Sequence, residues 1–227
     1  MTTKAGAGHF GPLIPFARAF QRAGADVLIA APREAAPMVR AEGLPLWAFD
    51  DPPAEERAAI FAEVRNRPSD GTVAKRVVGD VFARIDARAA FPGVLAACRA
   101  WGPDVVISET TEVAGPLAAE IVDVPSVCIG LSQQGKEEHV LPTIMDALED
   151  LRAYAGLPAD PAGSRVFDRP YLTLFPAALE DPATPIKLPS HRFREARATV
   201  RRHPVYGGPA DDRPLVARIA FGNSPTT

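Results

Sequence analysis

The stretch Ala5-Gly6-Ala7-Gly8-His9-Phe10-Gly11-Pro12-Leu13-Ile14-Pro15-Phe16-Ala17-Arg18-Ala19-Phe20 reads as a glycine-rich turn that opens a helix. Leu13, Phe16, Ala17 and Phe20 recur at helical spacing, and prolines at the front of a helix are tolerated in its first turn. Gly24 closes this helix, and Ala25-Asp26-Val27-Leu28-Ile29-Ala30-Ala31 follows as a short buried strand that Pro32 stops. A loop, a helix and a strand in this order predict an α/β protein with a parallel sheet. A strand must feed the turn, yet only a few residues from Met1 precede it. The first strand is therefore expected to be shortened or missing, and loss is the reading favoured.

The same alternation continues down the chain. Residues 52–90 are polar and helical in character, with a loop at Arg65-Asn66-Arg67-Pro68-Ser69-Asp70-Gly71, and Phe91 to Trp101 forms an amphipathic helix. Pro103-Asp104-Val105-Val106-Ile107-Ser108 reads as a strand, Thr111 to Ile121 as a helix, and Pro125 to Gly130 as a further strand. This predicts a Rossmann-like, doubly wound parallel sheet with flanking helices, whose sites lie at the carboxyl ends of its strands. Leu141 to Ala155 reads as a helix and Tyr171 to Phe175 as a strand. The expected organisation is a domain over 1–175, a proline-rich linker or edge segment over 176–212, and the opening of a second domain over 213–227.

Composition narrows the function. A net charge of −3 and a pI near 5.8 argue against a nucleic-acid partner. No stretch approaches the ~20 apolar residues of a membrane span, and the N-terminus does not read as a signal peptide, so a cytoplasmic placement is expected. Cys98 and Cys128 stand in apolar surroundings without a CxxC pair, and are expected as buried, reduced thiols. The 24 prolines are roughly twice average usage, and their concentration toward the C-terminus is what suggests extended chain there. His191 and His203 do not have the spacing of a metal site, and no metal is expected. His139 reads as a surface or packing histidine.

Gly6-Ala7-Gly8-His9-Phe10-Gly11 satisfies the GxGxxG pattern of dinucleotide-binding turns. That pattern requires an acidic residue ~20 positions on, at the end of the second strand. The strand here ends Ala30-Ala31-Pro32-Arg33, without a carboxylate for a ribose. Arg33 leaves an NADP-binding oxidoreductase as one alternative, and a non-catalytic small-molecule binding module is another. His9 suggests a different use for the turn. Just ahead of a helix, its imidazole reaches the crevice above the sheet, where the helix N-terminus disfavours the charged ring and suits a general base. Position alone also allows a histidine that only ties down the loop.

The run from Thr2 to Leu13, continued through Gly24-Ala25-Asp26-Val27 to Ala31-Pro32, resembles the start of family 1 glycosyltransferases, above all the bacterial enzymes that glycosylate antibiotics and other natural products. The likeness recurs in Pro103 to Gly115, in Ala118-Ala119-Glu120 with Val124-Pro125, in Leu172 to Pro176, in His191 to Arg194 and in Phe221-Gly222. It covers nearly the whole chain in the family's order. The resemblance implies the N-terminal half of a GT-B fold, in which this domain binds the acceptor and a second domain binds a nucleotide sugar. It implies an inverting transfer to a hydroxyl of a hydrophobic small molecule, with His9 as the base and an acidic side chain orienting it.

The family's aspartate position falls at Ser108. Glu109, at the strand end, is the first choice of partner for His9, and Glu112 the second, although Glu112 also suits a plain helix-dipole charge. Acceptor contacts are expected from Phe10, Gly11, the region from Arg65 to Arg76, and the loop Leu131-Ser132-Gln133-Gln134. The histidine- and glycine-rich segment that holds the nucleotide in the family does not occur in these 227 residues. The resemblance therefore implies a truncated, acceptor-binding half that is inactive alone. It implies no cofactor, a UDP- or TDP-linked co-substrate held mainly by the other domain, and self-association through the exposed interdomain face.

Overall fold

A computed structural model describes residues 1–68 and 70–194. The strands are β1 (Ile29–Pro32), β2 (Leu46–Phe49), β3 (Val106–Glu109), β4 (Ser126–Ile129), β5 (Tyr171–Thr173) and β6 (Ser190–Arg192). β1 pairs with β2, and β3 to β6 pair in sequence, every ladder parallel. Met1 to Thr3 join the two sets. Thr2 bridges Ala30 on one side and Ser108 on the other, with Thr2 N donating to the Ile107 carbonyl at 2.8 Å and Thr3 N to the Ala30 carbonyl at 3.1 Å. The spatial order β2-β1-(Met1–Thr3)-β3-β4-β5-β6 is that of a doubly wound sheet. The first strand, whose loss the sequence suggested, is represented at the centre of the sheet by the stub Met1–Thr3.

The helices are α1 (Ala7–Phe10), α2 (Ile14–Arg22), α3 (Ala36–Ala41), α4 (Ala54–Val64), α5 (Gly71–Ala74), α6 (Ala87–Trp101), α7 (Ala114–Ile121), α8 (Gln134–Val140), α9 (Met145–Ala155) and α10 (Ser164–Phe167). A 3₁₀ turn, Gly11–Leu13, joins α1 to α2, and a π-helix, Lys75–Asp86, joins α5 to α6. The stub turns into α1 at Gly6, whose φ of 117° is open to glycine and strained for other residues. The helix expected from Phe91 begins earlier, because the π-helix and α6 run on without a break to Gly102, where a left-handed residue ends them.

Side chains alternate between two buried faces. Ile29 and Ala31 pack with Phe10, Ala17 and Val39, while Ile107 and Ile129 pack with Leu13 and Phe16. Between them Ala30 and Val106 turn to the opposite face, where Phe91 and Val94 of α6, Leu117 of α7 and Leu148 of α9 close the larger core. Strands buried on both faces and helices on each side are what short, near-continuous apolar runs dictate. Cys98 and Cys128 are buried free thiols. Burial pushes Cys128 up to about 11, which makes it a poor nucleophile.

The proline-rich segment contributes more than connection. Ser190–Arg192 pairs in parallel with β5 as the edge strand, so the sheet continues past residue 175. The expected second-domain opening at 213–227, and linker residues 195–212 with His203, lie outside the described residues. Among the described residues no helix is long and apolar enough to cross a membrane.

Close packing between α6 and β2 makes one position informative. A Cβ at Gly93 would overlap the side chain of Phe49, whereas at Gly71 it would meet open space. Gly93→Ala is expected to lower the free energy of urea unfolding by about 1–3 kcal/mol. Gly71→Ala should change it by less than about 1 kcal/mol, in the direction of a gain.

Candidate functional site

The candidate site gathers where the central strands end. Lys4 leaves the stub, His9 sits in α1 after the Gly6 turn, and Glu109 is the last residue of β3. Phe82 reaches in from the π-helix. His9 Nδ1 lies 3.0 Å from Glu109 Oε1. An ionised carboxylate only accepts, so Nδ1 carries the proton of this bond, and Nε2 of the neutral ring keeps its lone pair. The Phe82 ring meets the imidazole edge to face, with centroids 5.1 Å apart and planes at 86°. His9 remains 19% exposed, and Glu109 not at all.

Glu109 is buried with its charge compensated. Thr111 N donates to Oε2 at 2.5 Å, and the Thr111 hydroxyl lies 2.9 Å from Oε2 and 3.0 Å from Oε1. Lys4 Nζ stands 3.8 Å from Oε1. Burial pushes the carboxyl up, but the charges of Lys4 and His9 and the hydrogen bonds from His9 and Thr111 outweigh it and bring Glu109 down to about 2. The group is a fixed anion across ordinary pH.

Glu112 has a different place. Its Oε1 accepts from Ala114 N at 2.9 Å, its Oε2 from Gly115 N at 3.0 Å, and the Thr2 hydroxyl donates to the same Oε2. It caps α7 and ties that helix to the stub, so its carboxylate is spent on backbone amides rather than on His9.

A cavity of about 220 Å³ opens at the ends of β3 and β4, separated from the pair by Thr111, which lines it and bonds Glu109. Val78, Val140, Ile144 and Leu131 give it apolar walls, and Thr110, Thr111, Ser132, Lys136 and Glu137 contribute the rest. Glu137 shapes this wall. One of its oxygens accepts from Leu131 N at 2.8 Å and from the Ser132 amide and hydroxyl at 2.5 and 3.0 Å. The other accepts from the Thr110 hydroxyl and from Tyr171 OH, both at 2.6 Å.

Of the expected acceptor contacts, the structure brings Ser132 to this cavity. Gln133 donates from its amide to the Leu179 carbonyl at 2.7 Å, outside the cavity lining. Phe10 is fully buried among Ala17, Ile29 and Val39. One residue on from His9 in a helix the side chain turns by about 100°, so His9 faces the crevice and Phe10 the core, leaving Phe10 no surface for an acceptor. Gly11 begins the 3₁₀ turn. In the region 65–76, Arg76 is held by Glu63 at 2.6 Å and by Asp80, and Ser69 lies outside the described residues. Arg33 pairs with Asp50 at the exposed end of β1. His139 and His191 are exposed.

Sequence reasoning passed over Lys4, Phe82, Thr111 and Glu137. Lys4 and Thr111 carried one signal: each lies within two residues of a strand end that points at the site. Phe82 and Glu137 carried none, because π-helical register and the α8 start set their directions.

Residues 18–140, more than half of the chain, match the family described as erythromycin biosynthesis protein CIII-like, N-terminal domain. L-demethylnoviosyl transferase of Streptomyces niveus is 36% identical over 149 residues, which span 65% of this chain and 38% of that protein. Two solved glycosyltransferases share the fold. SsfS6 of Streptomyces sp. SF2575 superposes with a TM-score of 0.64 at 22% identity, over 90% of this chain and 56% of its own. VinC, in complex with DTDP, superposes with a TM-score of 0.61 at 23% identity, over 85% and 51%. The chain thus spans between 38% and 56% of these relatives' lengths.

Glu109 carries a pH signature. Its folded value of about 2 lies below the ordinary 4.5, so its stabilisation is complete above about 4.5 and is lost as the pH falls toward 2. Glu109→Gln should therefore be clearly less stable than the unmodified chain at neutral pH, with the gap narrowing in urea titrations from pH 5 toward pH 3. A gap independent of pH would mean that the fold does not shift the carboxyl from its unfolded value, and a gap that narrowed as the pH rose would mean that the fold keeps it protonated.

Proposed function

Because the chain belongs to the erythromycin biosynthesis protein CIII-like family, as an N-terminal domain of the GT-B antibiotic glycosyltransferase type, we propose that it is the acceptor-binding half of an inverting sugar transfer with His9 as general base. The observation that carries this reading is the His9–Glu109 contact at 3.0 Å, with a largely apolar cavity one residue away across Thr111 at the carboxyl ends of the sheet. A hydroxyl group of a hydrophobic acceptor occupies the mouth of that cavity, toward Nε2 of His9. As its oxygen attacks the anomeric carbon, the hydroxyl proton passes to Nε2, and the bond from that carbon to the nucleoside diphosphate breaks on the opposite face. Glu109 holds the ring in place through Nδ1 and stabilises the imidazolium that results.

The donor is a nucleotide sugar held mainly by a second half. The shares of relatives covered by this chain, close to half for the solved enzymes, support that division, and the DTDP complex of VinC supports a TDP-linked donor over a UDP-linked one. Bringing sugar and acceptor into line requires both halves, so the described domain alone binds acceptor without turning it over.

The test combines two readouts. The chain is incubated with a TDP-sugar and a hydrophobic hydroxylated acceptor, alone and with a donor-binding half supplied in trans, while acceptor affinity is followed by calorimetry. Product should form only with the second half present, and His9→Ala should lower the rate by about 10²–10⁴-fold while leaving acceptor affinity nearly unchanged. Turnover that survives His9→Ala would remove the base from this reading, and acceptor binding without turnover in any combination would make the chain a binding module.

A further inference from the structure

Behind the His9–Glu109 pair stands a buried cation. Lys4 is 8% exposed, and its Nζ lies 3.8 Å from Glu109 Oε1, the oxygen that also meets His9 Nδ1. The ammonium donates to the Thr111 carbonyl and lies 3.2 Å from the Thr111 hydroxyl, and it sits 5.0 Å from the centroid of the Phe82 ring that packs on His9. Its location follows from the backbone. Thr2 and Thr3 pair with both neighbouring strands, so the next residue must leave the sheet at its carboxyl end, between the ends of β1 and β3. A lysine is seldom buried to this degree, because removing an ammonium from water is costly unless charge and hydrogen bonds are returned to it.

Among the described residues, Lys4 and His9 are the cations within ion-pair distance of Glu109. The ammonium of Lys4 and the imidazole of His9 both address a single carboxylate oxygen. We propose that Lys4 is a positioning residue for the base: it shares Glu109 with the imidazole, so that the carboxylate orients His9 without fixing a proton on its ring. This rests on the reading of His9 and Glu109 given above. A carboxylate in contact with an imidazole favours the charged ring, and a charged ring cannot accept the proton of a hydroxyl. The ammonium of Lys4 on the same oxygen offsets that preference before transfer. After transfer the carboxylate still faces the new imidazolium.

The other charges around Lys4 have partners of their own. Asp86, at the end of the π-helix, lies 3.4 Å from Arg57 Nε, and Arg57 of α4 pairs with Glu34 at 2.8 Å. With Lys4 these residues line a narrow cavity at the ends of β1 and β2. Glu112, also on its wall, is committed to the α7 amides, and Glu137 of α8 to Thr110, Tyr171 and the Leu131-Ser132 amides. Asp86 is the neighbour that could blunt the effect, since Lys4 and His9 both act on it; burial outweighs them and raises its carboxyl above the ordinary range.

The experiment is an NMR titration of the intact chain with labelled histidine and lysine, and it needs no donor or acceptor. Glu109→Gln should move the pH midpoint of the His9 imidazole downward, and Lys4→Met should move it upward, each by about half a pH unit or more. Lys4→Arg should return most of the Lys4→Met shift, because a purely packing role would not be rescued by charge. In the unmodified chain the Lys4 Cε resonance should inflect at the His9 midpoint, a measurement that stands even where Lys4→Met fails to fold. A His9 midpoint that responds to Glu109→Gln but not to Lys4→Met, or a flat Lys4 trace, overturns the proposal for Lys4 alone. A midpoint indifferent to both substitutions removes the His9–Glu109 pair itself, and the proposal with it.

Discussion

A carboxylate with no solvent exposure ends β3, and much of the surrounding architecture consists of the groups that keep it charged. Isolated, such an anion would take up a proton rather than remain ionised. Glu109 receives a backbone amide and a hydroxyl from Thr111, an imidazole from His9 and the charge of Lys4. These groups come from three parts of the chain: the β3–α7 turn, α1 and the residue that follows the stub. The carboxylate is therefore a register mark, because a slip of one residue in β3 would turn it toward the opposite face of the sheet.

The stub Met1–Thr3 joins the two halves of the sheet at one point. Met1 and Thr3 pair with Ala30 of β1 while Thr2 pairs with Ile107 of β3, and the Thr2 hydroxyl also reaches Glu112. Gly115 of α7 approaches close enough that any Cβ there would overlap the Thr2 and Glu112 side chains. Strand, cap and helix are locked at one point. The same lock fixes where Lys4 emerges, and the positions of Lys4 and Glu109 are consequences of one packing arrangement rather than of two separate ones.

Much of this was legible in the sequence, and the limits have physical causes. The Gly6 turn, the buried runs around Ile29 and Ile107, and the helices that separate them are local patterns, and they predicted a doubly wound parallel sheet. β2 was not read, because Leu46-Trp47-Ala48-Phe49 is short and lies among prolines, and β6 was hidden in a segment whose prolines suggested connecting chain. The site was legible in its types more than in its directions. His9 and Glu109 stand at a helix start and a strand end, positions that sequence locates well. Glu112 differs from Glu109 by three residues, and which of them faces His9 depends on where α7 begins: at Ala114, close enough for Glu112 to fold back onto its amides. Phe10 was misjudged for a similar reason. The helix begins at Ala7 instead of after Gly11, and the rotation it imposes sends Phe10 into the core.

Reactive groups and recognition surface are held by different means. His9, Lys4 and Glu109 belong to strand ends and the first helical turn, where backbone pairing leaves little freedom. The cavity wall depends instead on side chains of the π-helix, α8 and the Leu131-Ser132 loop, gathered by Glu137. Five hydrogen bonds from two loop amides and three hydroxyls converge on that one carboxylate, and they tie the loop to β5 through Tyr171 and to the β3 end through Thr110. The wall can therefore change its apolar residues at Val140 or Ile144 without touching the hydrogen bonds that hold His9. Thr110 and Thr111 are the link between the two systems, since consecutive residues serve Glu137 and Glu109 in turn. A change in the wall reaches His9 by two routes, through that dipeptide and along the π-helix, which carries Val78 of the wall and Phe82 against the imidazole.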